Sequence, residues 1–90
     1  MQIKFIRNIQ FTRLIKAEGR LREFNFRKMN LLNETLFSVD VVDDRGNRIM
    51  FRMGRNDNGW QIQSQPLPTW VVQQERQLSE LIEEELMAQS

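Results

Sequence analysis

The sequence predicts an α+β fold: a single antiparallel β-meander of four to five strands, with one long C-terminal α-helix packed across one face. Two patterns predict it. Between residues 9 and 63, apolar and polar side chains alternate in short runs separated by turn-forming residues, as in half-buried strands. Between residues 67 and 87, apolar residues recur at helical spacing, and no glycine or proline follows Pro68. We expect these 90 residues to form one domain, spanning 1–90.

The clearest strands lie at 36–43 and 47–53, and they form a hairpin whose register follows from its loop. A three-residue loop at 44–46, ending in a glycine bulge, sets Val39 opposite Phe51. A two-residue loop would shift the register by one position and set Val39 opposite an arginine. Because a one-residue slip turns the apolar side chains of a strand toward water, the three-residue loop is favoured.

Three further segments complete the predicted sheet. A two-residue turn at 18–19 joins strands at 9–17 and 20–29, and it aligns the phenylalanines of both strands on one face. The polar segment 54–59 then leads, as a turn, into a short last strand at 59–63. The first eight residues fit either a strand or a short helix, and the pattern does not decide between them.

The predicted helix at 67–87 has a proline suited to its first turn and presents one apolar stripe. About twenty helical residues span ~30 Å, whereas a five-stranded sheet is ~19 Å wide, so we expect the helix to overhang the sheet. The three glutamates at 83–85 oppose the helix dipole. The last turn should therefore fray unless a basic group covers it, and the acidic end should project into solvent or reach a partner chain.

Composition excludes several chemistries. The chain has no cysteine, so it has neither a disulfide framework nor a thiolate nucleophile. It also has no histidine, which is the commonest general base and metal ligand. No apolar run approaches the ~18 residues that span a bilayer, and the first residues lack the apolar core of a secretory signal. We therefore expect a cytoplasmic protein that is not an enzyme and that binds no metal, cofactor or membrane.

Charge is distributed unevenly, although the net charge is only +1. Residues 1–55 hold twelve lysines and arginines against six acids, and residues 56–90 hold one arginine against six acids. One interpretation is that a basic sheet and an acidic helix attract each other, within the fold or across a dimer. The other is a basic surface that binds a polyanion. The low net charge favours the first interpretation.

The registers divide the sheet into a face that packs against the helix, here called the core face, and an opposite open face. The open face keeps more apolar residues than a solvated sheet needs. Leu14, Leu21, Val42 and Met50 form the candidate self-association surface, through which, or through an edge strand, we expect the chain to form a homodimer. The residues predicted on the core face are Ile9, Phe11, Ile15, Phe24, Phe26, Phe37, Val39, Val41, Ile49, Phe51, Met53, Trp60 and Ile62.

Two alternative functions remain open. Arg27, Arg48 and Arg52 share the predicted open face and are the candidate contacts for a polyanion such as single-stranded nucleic acid. The order of four strands followed by a helix resembles, in topology alone, the PUR-type and Whirly-type single-strand-binding domains, and that resemblance implies the same function. The other alternative is a small ligand held between sheet and helix, near Trp60 and Trp70.

Overall fold

The structure, a computed structural model, describes residues 9–32, 34–63 and 66–89, and there the strands form one antiparallel sheet in chain order. The predicted α+β meander is confirmed. The first eight residues, for which strand and helix were both open, lie outside the described part of the chain. The elements are β1 Gln10–Ala17, β2 Arg20–Asn30, β3 Thr35–Val42, β4 Arg48–Asn56, β5 Gly59–Gln63, α1 Thr69–Val72 and α2 Glu75–Gln89.

The turn between β1 and β2 fixes their register as predicted. Ala17 pairs with Arg20, and the turn residues Glu18 and Gly19 have φ angles of 55° and 75°. Two successive positive φ angles match the right-handed twist of the flanking strands, which is why this turn type closes two-residue hairpins. The phenylalanines of both strands therefore lie on the core face.

The central hairpin, β3–β4, has the predicted three-residue loop. The Asp43 N–H donates to the Asn47 carbonyl over 2.9 Å, and Gly46, with a φ of 83°, takes the left-handed position. Val39 consequently pairs with Phe51. The Asn47 N–H also donates to the Asp43 carboxylate over 2.8 Å, and this bond lowers the pKa of Asp43 below its ordinary value.

The core face is the predicted one. Every residue predicted for it belongs to one buried hydrophobic cluster or, at Phe11, Ile49 and Ile62, packs against it. The helices add Val71, Leu78 and Ile82 to the cluster. The rings of Phe11 and Phe26 stack with their centroids 4.4 Å apart, and they pack the β1–β2 end of this cluster. Removal of these apolar side chains from water is the dominant force that holds the helices on the sheet.

One strand boundary differs from the prediction by more than one residue. Segment 54–59 is not a turn throughout, because β4 continues to Asn56 and the turn is confined to 57–58. Gly54 lies buried within this longer strand, and its lack of a Cβ leaves room for the side chain of Gln63. This glycine therefore serves close packing across the sheet rather than a bend in the chain.

The C-terminal helix is interrupted, whereas the sequence predicted one helix at 67–87. Residues 73–74 separate α1 from α2, and the second of them donates its N–H over 3.0 Å to the Val71 carbonyl, three residues back. Such a bond belongs to a tighter turn than the α-helix. The break lies between two tertiary contacts. On one side, the Trp70 ring packs against the guanidinium of Arg22 in β2, and on the other the Glu75 carboxylate accepts the Ile62 N–H of β5. None of the helices in the described ranges combines the length and the apolar content that a membrane span requires.

Two of the three glutamates at the end of α2 are held by the sheet of the same chain, which corrects the expectation of a free or partner-bound acidic end. Arg13 lies 2.7 Å from Glu85, and Arg55 lies 3.5 Å from Glu83. The indole N–H of Trp60 also donates to Glu83 over 3.0 Å. Because α2 continues to Gln89, these glutamates lie before its last turn, and the contacts join the basic sheet to the acidic helix within the fold.

Candidate interaction edge and open face

β1 is one edge of the sheet, and half of its backbone groups point away from β2. In an antiparallel pair, residues that exchange backbone hydrogen bonds alternate with residues that do not. Lys28 donates its N–H to the Ile9 carbonyl over 2.9 Å, so the odd-numbered residues of β1 face β2. The even-numbered residues direct their N–H and C=O groups outward: Gln10, Thr12, Leu14 and Lys16.

One outward group of this edge is satisfied by a side chain. The Arg13 guanidinium donates to the Thr12 carbonyl over 2.9 Å, and it holds Glu85 at the same time. Its central carbon lies 5.1 Å from the centre of the Phe11 ring. Within the part of the chain that the structure describes, no other outward backbone group of β1 has a hydrogen-bond partner.

β5 is the other edge, and α2 covers it. The Trp60 N–H donates to the Ser79 hydroxyl over 2.9 Å, and the Ile62 N–H donates to the Glu75 carboxylate over 2.8 Å. Gly59 makes room for the helix, since a Cβ added there would lie 2.8 Å from the Ser79 Oγ. These two outward amides are therefore closed to another strand.

The four apolar residues of the candidate self-association surface are exposed on the open face, by 64% at Leu14, 68% at Leu21, 50% at Val42 and 52% at Met50. They form two diagonal pairs rather than one continuous patch. Leu14 and Leu21 make one pair at the β1 edge, and Val42 and Met50 make the other on β3 and β4. Each of the four residues has a charged residue directly opposite it on the neighbouring strand. The pairs are Leu14 with Glu23, Leu21 with Lys16, Val42 with Arg48, and Met50 with Asp40.

The three candidate polyanion contacts lie in two different environments. Arg48 bonds the Asp40 carboxylate over 3.0 Å, and the Asn25 amide holds the other oxygen of that carboxylate over 3.1 Å. Arg27 and Arg52 instead flank Ser38 on the open face. Neither of these two arginines has a carboxylate partner among the described residues. The structure therefore sets two of the three arginines beside the same serine, and it pairs the third with a carboxylate of the same face.

A buried arginine that the sequence did not single out ties the β1–β2 hairpin to α1. Arg22 is 7% exposed, its Nε donates to the Ala17 carbonyl over 3.0 Å, and its guanidinium lies 4.3 Å from the Trp70 ring centre. Its other end lies 3.0 Å from Asp44 and lowers the pKa of that carboxyl group. The available signal was its register, since alternation places Arg22 opposite Ile15 on the core face.

Both tryptophans near the predicted ligand position contact protein groups. Trp60 is 3% exposed and meets the Phe37 ring edge-on, with centroids 5.1 Å apart. The Trp70 ring packs against the guanidinium of Arg22. A small ligand between sheet and helix stays a prediction.

No protein-family model matches the chain, and comparisons with curated proteins and with solved structures find no significant similarity. The geometry of the β1 edge and of the open face therefore carries the functional inference.

Proposed function

We propose that this chain is a small, non-enzymatic cytoplasmic interaction domain that self-associates through the outward edge of β1. The supporting observation is the run of outward N–H and C=O groups on this strand, of which one carbonyl alone is bonded in the described part of the chain. An edge strand with unpaired backbone groups is a template for pairing with another strand. The lack of histidine and cysteine supports a role without catalysis.

The occupant that we propose for this edge is β1 of a second copy. Two identical strands that pair in antiparallel about a two-fold axis present the same groups to each other, so the assembly closes as a dimer. A register centred on Leu14 sets this residue opposite its counterpart and sets Thr12 opposite Lys16. A register centred on Arg13 would place two guanidinium groups directly opposite each other, which is unfavourable.

The exposed leucines at this edge favour the register centred on Leu14. Leu14 would face its counterpart at a hydrogen-bonded position, with the two Cα atoms ~5.5 Å apart. Leu21 lies on the diagonal beside it in each subunit, so four leucine side chains would meet across the axis. Pairing also requires the Arg13 guanidinium to release the Thr12 carbonyl. We therefore expect weak, reversible association, as is typical of small interfaces.

Single-cysteine scanning tests the edge and the register together, because the natural chain has no cysteine. Leu14→Cys should form an intermolecular disulfide under mild oxidation, since Cα atoms ~5.5 Å apart suit a disulfide. Leu21→Cys and Val42→Cys are matched controls, because both residues are exposed on the same face but lie off the axis. Cross-linking at Arg13→Cys would keep the edge contact and move the axis by one residue.

Light scattering at micromolar concentration gives the oligomeric state. We expect a concentration-dependent dimer for the natural chain. Met50→Lys separates the two routes of association, because it should leave an edge dimer intact and dissociate a dimer that uses the open face. A strict monomer that cross-links at none of the scanned positions would contradict the proposal.

A further inference from the structure

A second feature of the open face is independent of pairing at the β1 edge. The registers set five polar residues side by side, one from each strand: Gln10, Arg27, Ser38, Arg52 and Gln63. We call this set the arginine row. Adjacent strands lie ~4.8 Å apart, so the backbones of Arg27 and Arg52 stand ~10 Å apart with Ser38 between them.

The positive charge of the arginine row is not balanced by the part of the chain that the structure describes. Asp40, the next residue of β3 on the same face, is already held by Arg48 and Asn25. The Ser38 hydroxyl is half-buried and has no hydrogen-bond partner among the described residues. By contrast, the arginines there that do form ion pairs are Arg13, Arg20, Arg22, Arg48, Arg55 and Arg76.

A depression of about 610 Å³ lies over this part of the row. Arg27, Ser38, Arg52 and Gln63 line it together with Met29, Met50 and Phe51. The side chain of Gln63 lies over Gly54. Two guanidinium groups, one hydroxyl and one carboxamide therefore surround the depression. All four groups donate hydrogen bonds, and two of them are cationic.

We propose that the arginine row binds a phosphate group between Arg27 and Arg52, with the Ser38 hydroxyl as a third donor. Guanidinium groups bind oxyanions through two parallel N–H···O bonds. Two such groups that approach from opposite sides need acceptor oxygens pointing in several directions, which a tetrahedral phosphate offers and a planar carboxylate does not. The ligand class is thus a phosphate monoester or diester.

The phosphate, rather than an attached base, is the recognised group. Sequence-tolerant binding of single strands relies on aromatic side chains on which bases stack. In the described residues, every phenylalanine and tryptophan belongs to the core face or to the helix that packs on it. As far as the structure describes it, the open face therefore offers charge and hydrogen-bond donors without an aromatic stacking platform.

A titration with inorganic phosphate tests the site. The readout is ¹⁵N NMR of the arginine Nε–H groups, with chloride at equal ionic strength as the reference. We expect saturable shifts at Arg27 and Arg52 in the natural chain. Arg27→Gln and Arg52→Gln should each weaken binding roughly tenfold or more, because each removes a charge-assisted pair. Ser38→Ala should weaken binding by a few fold.

Arg48→Gln is the matched control for these variants. It removes the same charge from the same face, but Arg48 is committed to Asp40, so the phosphate affinity should stay within twofold. Circular dichroism confirms that each variant is folded. Shifts that do not saturate, or an equal loss in Arg48→Gln, would overturn the proposal, because only diffuse positive charge would then act.

Two further ligands separate the sources of the phosphate. Adenosine monophosphate presents a monoester, and a short oligothymidylate presents diesters. For a single strand held by two arginines, the logarithm of the association constant should fall with the logarithm of salt concentration at a slope of about −1.4. Binding of either ligand that depends on Arg27 and Arg52 but not on Arg48 supports the site and names its source. Binding of the oligonucleotide with a much steeper slope, unaffected by Arg27→Gln or Arg52→Gln, would contradict it.

Discussion

The two edges of the sheet differ in how their outward backbone groups are satisfied. At β5, the helix α2 supplies a hydroxyl and a carboxylate, and each accepts one strand amide. At β1, one arginine side chain bonds one carbonyl, and the described part of the chain offers nothing to the remaining outward groups. The helix lies along β5 because α1 and a short connection alone separate the two in the chain, and elements close in sequence usually pack side by side.

The covered edge shows that closing a strand requires a match of spacing as well as of chemistry. Glu75 and Ser79 are one helical turn apart, a rise of ~6 Å. Ile62 and Trp60 are two strand residues apart, a distance of ~6.7 Å. Because these two spacings nearly agree, a helix that runs antiparallel to β5 aligns two acceptors with two successive outward amides. β1 has no such helix beside it in the described structure, and its edge depends on one long side chain.

The largest effect should follow from uncovering β5. Glu75→Ala and Ser79→Ala each leave a strand amide without its acceptor, and each should lower the free energy of unfolding by about 1–3 kcal/mol. Urea unfolding followed by tryptophan fluorescence measures this change. The controls are Arg76→Ala and Glu80→Ala, an exposed ion pair on the same helix for which we expect losses below ~0.5 kcal/mol. Equal losses in all four variants would show that α2 covers β5 by packing alone.

The next effect concerns β1, where residues whose backbone groups face β2 alternate with residues whose backbone groups point outward. The Leu14 N–H points outward, so Leu14→Pro removes no hydrogen bond within the sheet, and an edge strand tolerates such a proline. We expect this variant to remain folded and to lose at least roughly tenfold in self-association, measured by sedimentation. Arg13→Pro is the control, because it removes an inward N–H and should destabilise the monomer clearly more. Unfolding of Leu14→Pro to the same degree would mean that the outward assignment of β1 is wrong.

Acid should weaken the ion pair between Arg22 and Asp44, which links the β1–β2 hairpin to the loop of the β3–β4 hairpin. The hydrogen bond from Arg22 lowers the folded-state pKa of Asp44 below its ordinary value of 3.8. The stability from this pair is therefore fully present above pH ~4 and is lost as the pH falls through the folded-state pKa.

Asp44→Asn tests this pH dependence. The variant should flatten the decline in the free energy of unfolding below pH ~4, since it removes one group that binds a proton more readily in the unfolded chain. Urea unfolding at several pH values measures the slope. Part of the slope should remain in this variant, because the backbone N–H of Asn47 lowers the pKa of Asp43 as well. An unchanged slope in Asp44→Asn would contradict the assignment of the shift to Arg22.

The smallest effect should come from Arg13, whose side chain bonds a backbone carbonyl at the outward edge of β1. Arg13→Gln frees the Thr12 carbonyl, so self-association should strengthen by a few fold. The monomer should lose about 0.5–1 kcal/mol with the Glu85 ion pair. Sedimentation and urea unfolding measure the two changes separately. Weaker association in this variant would show that Arg13 supports the contact instead of blunting it.

Sequence alternation was sufficient for the sheet because strand sidedness is a local property. Side chains in a strand point alternately to opposite faces, so each hairpin loop and the residues beside it fix a register without knowledge of the rest of the chain. The pairs of Ala17 with Arg20 and of Val39 with Phe51 follow in this way. The exposure of Leu14 and Leu21 on the open face follows from the same alternation.

The features that the sequence did not predict depend on contacts between distant segments. The helix break at 73–74 has no glycine or proline to mark it, and it lies between the contacts of Trp70 with Arg22 and of Glu75 with Ile62. Burial of Arg22 requires both the Trp70 ring and the Asp44 carboxylate, which belong to other elements. Local propensity carries no information about such partners.

By itself, the sequence determined the strand order, the hairpin registers and the face that the helices cover, because each depends on the two-residue period of a strand and on its nearest turn. The tertiary structure alone decided which edge is closed and which arginines keep an unbalanced charge. An outward amide or a guanidinium has the same local pattern whether or not it is satisfied, and its state is set by a side chain that another element brings within hydrogen-bond distance.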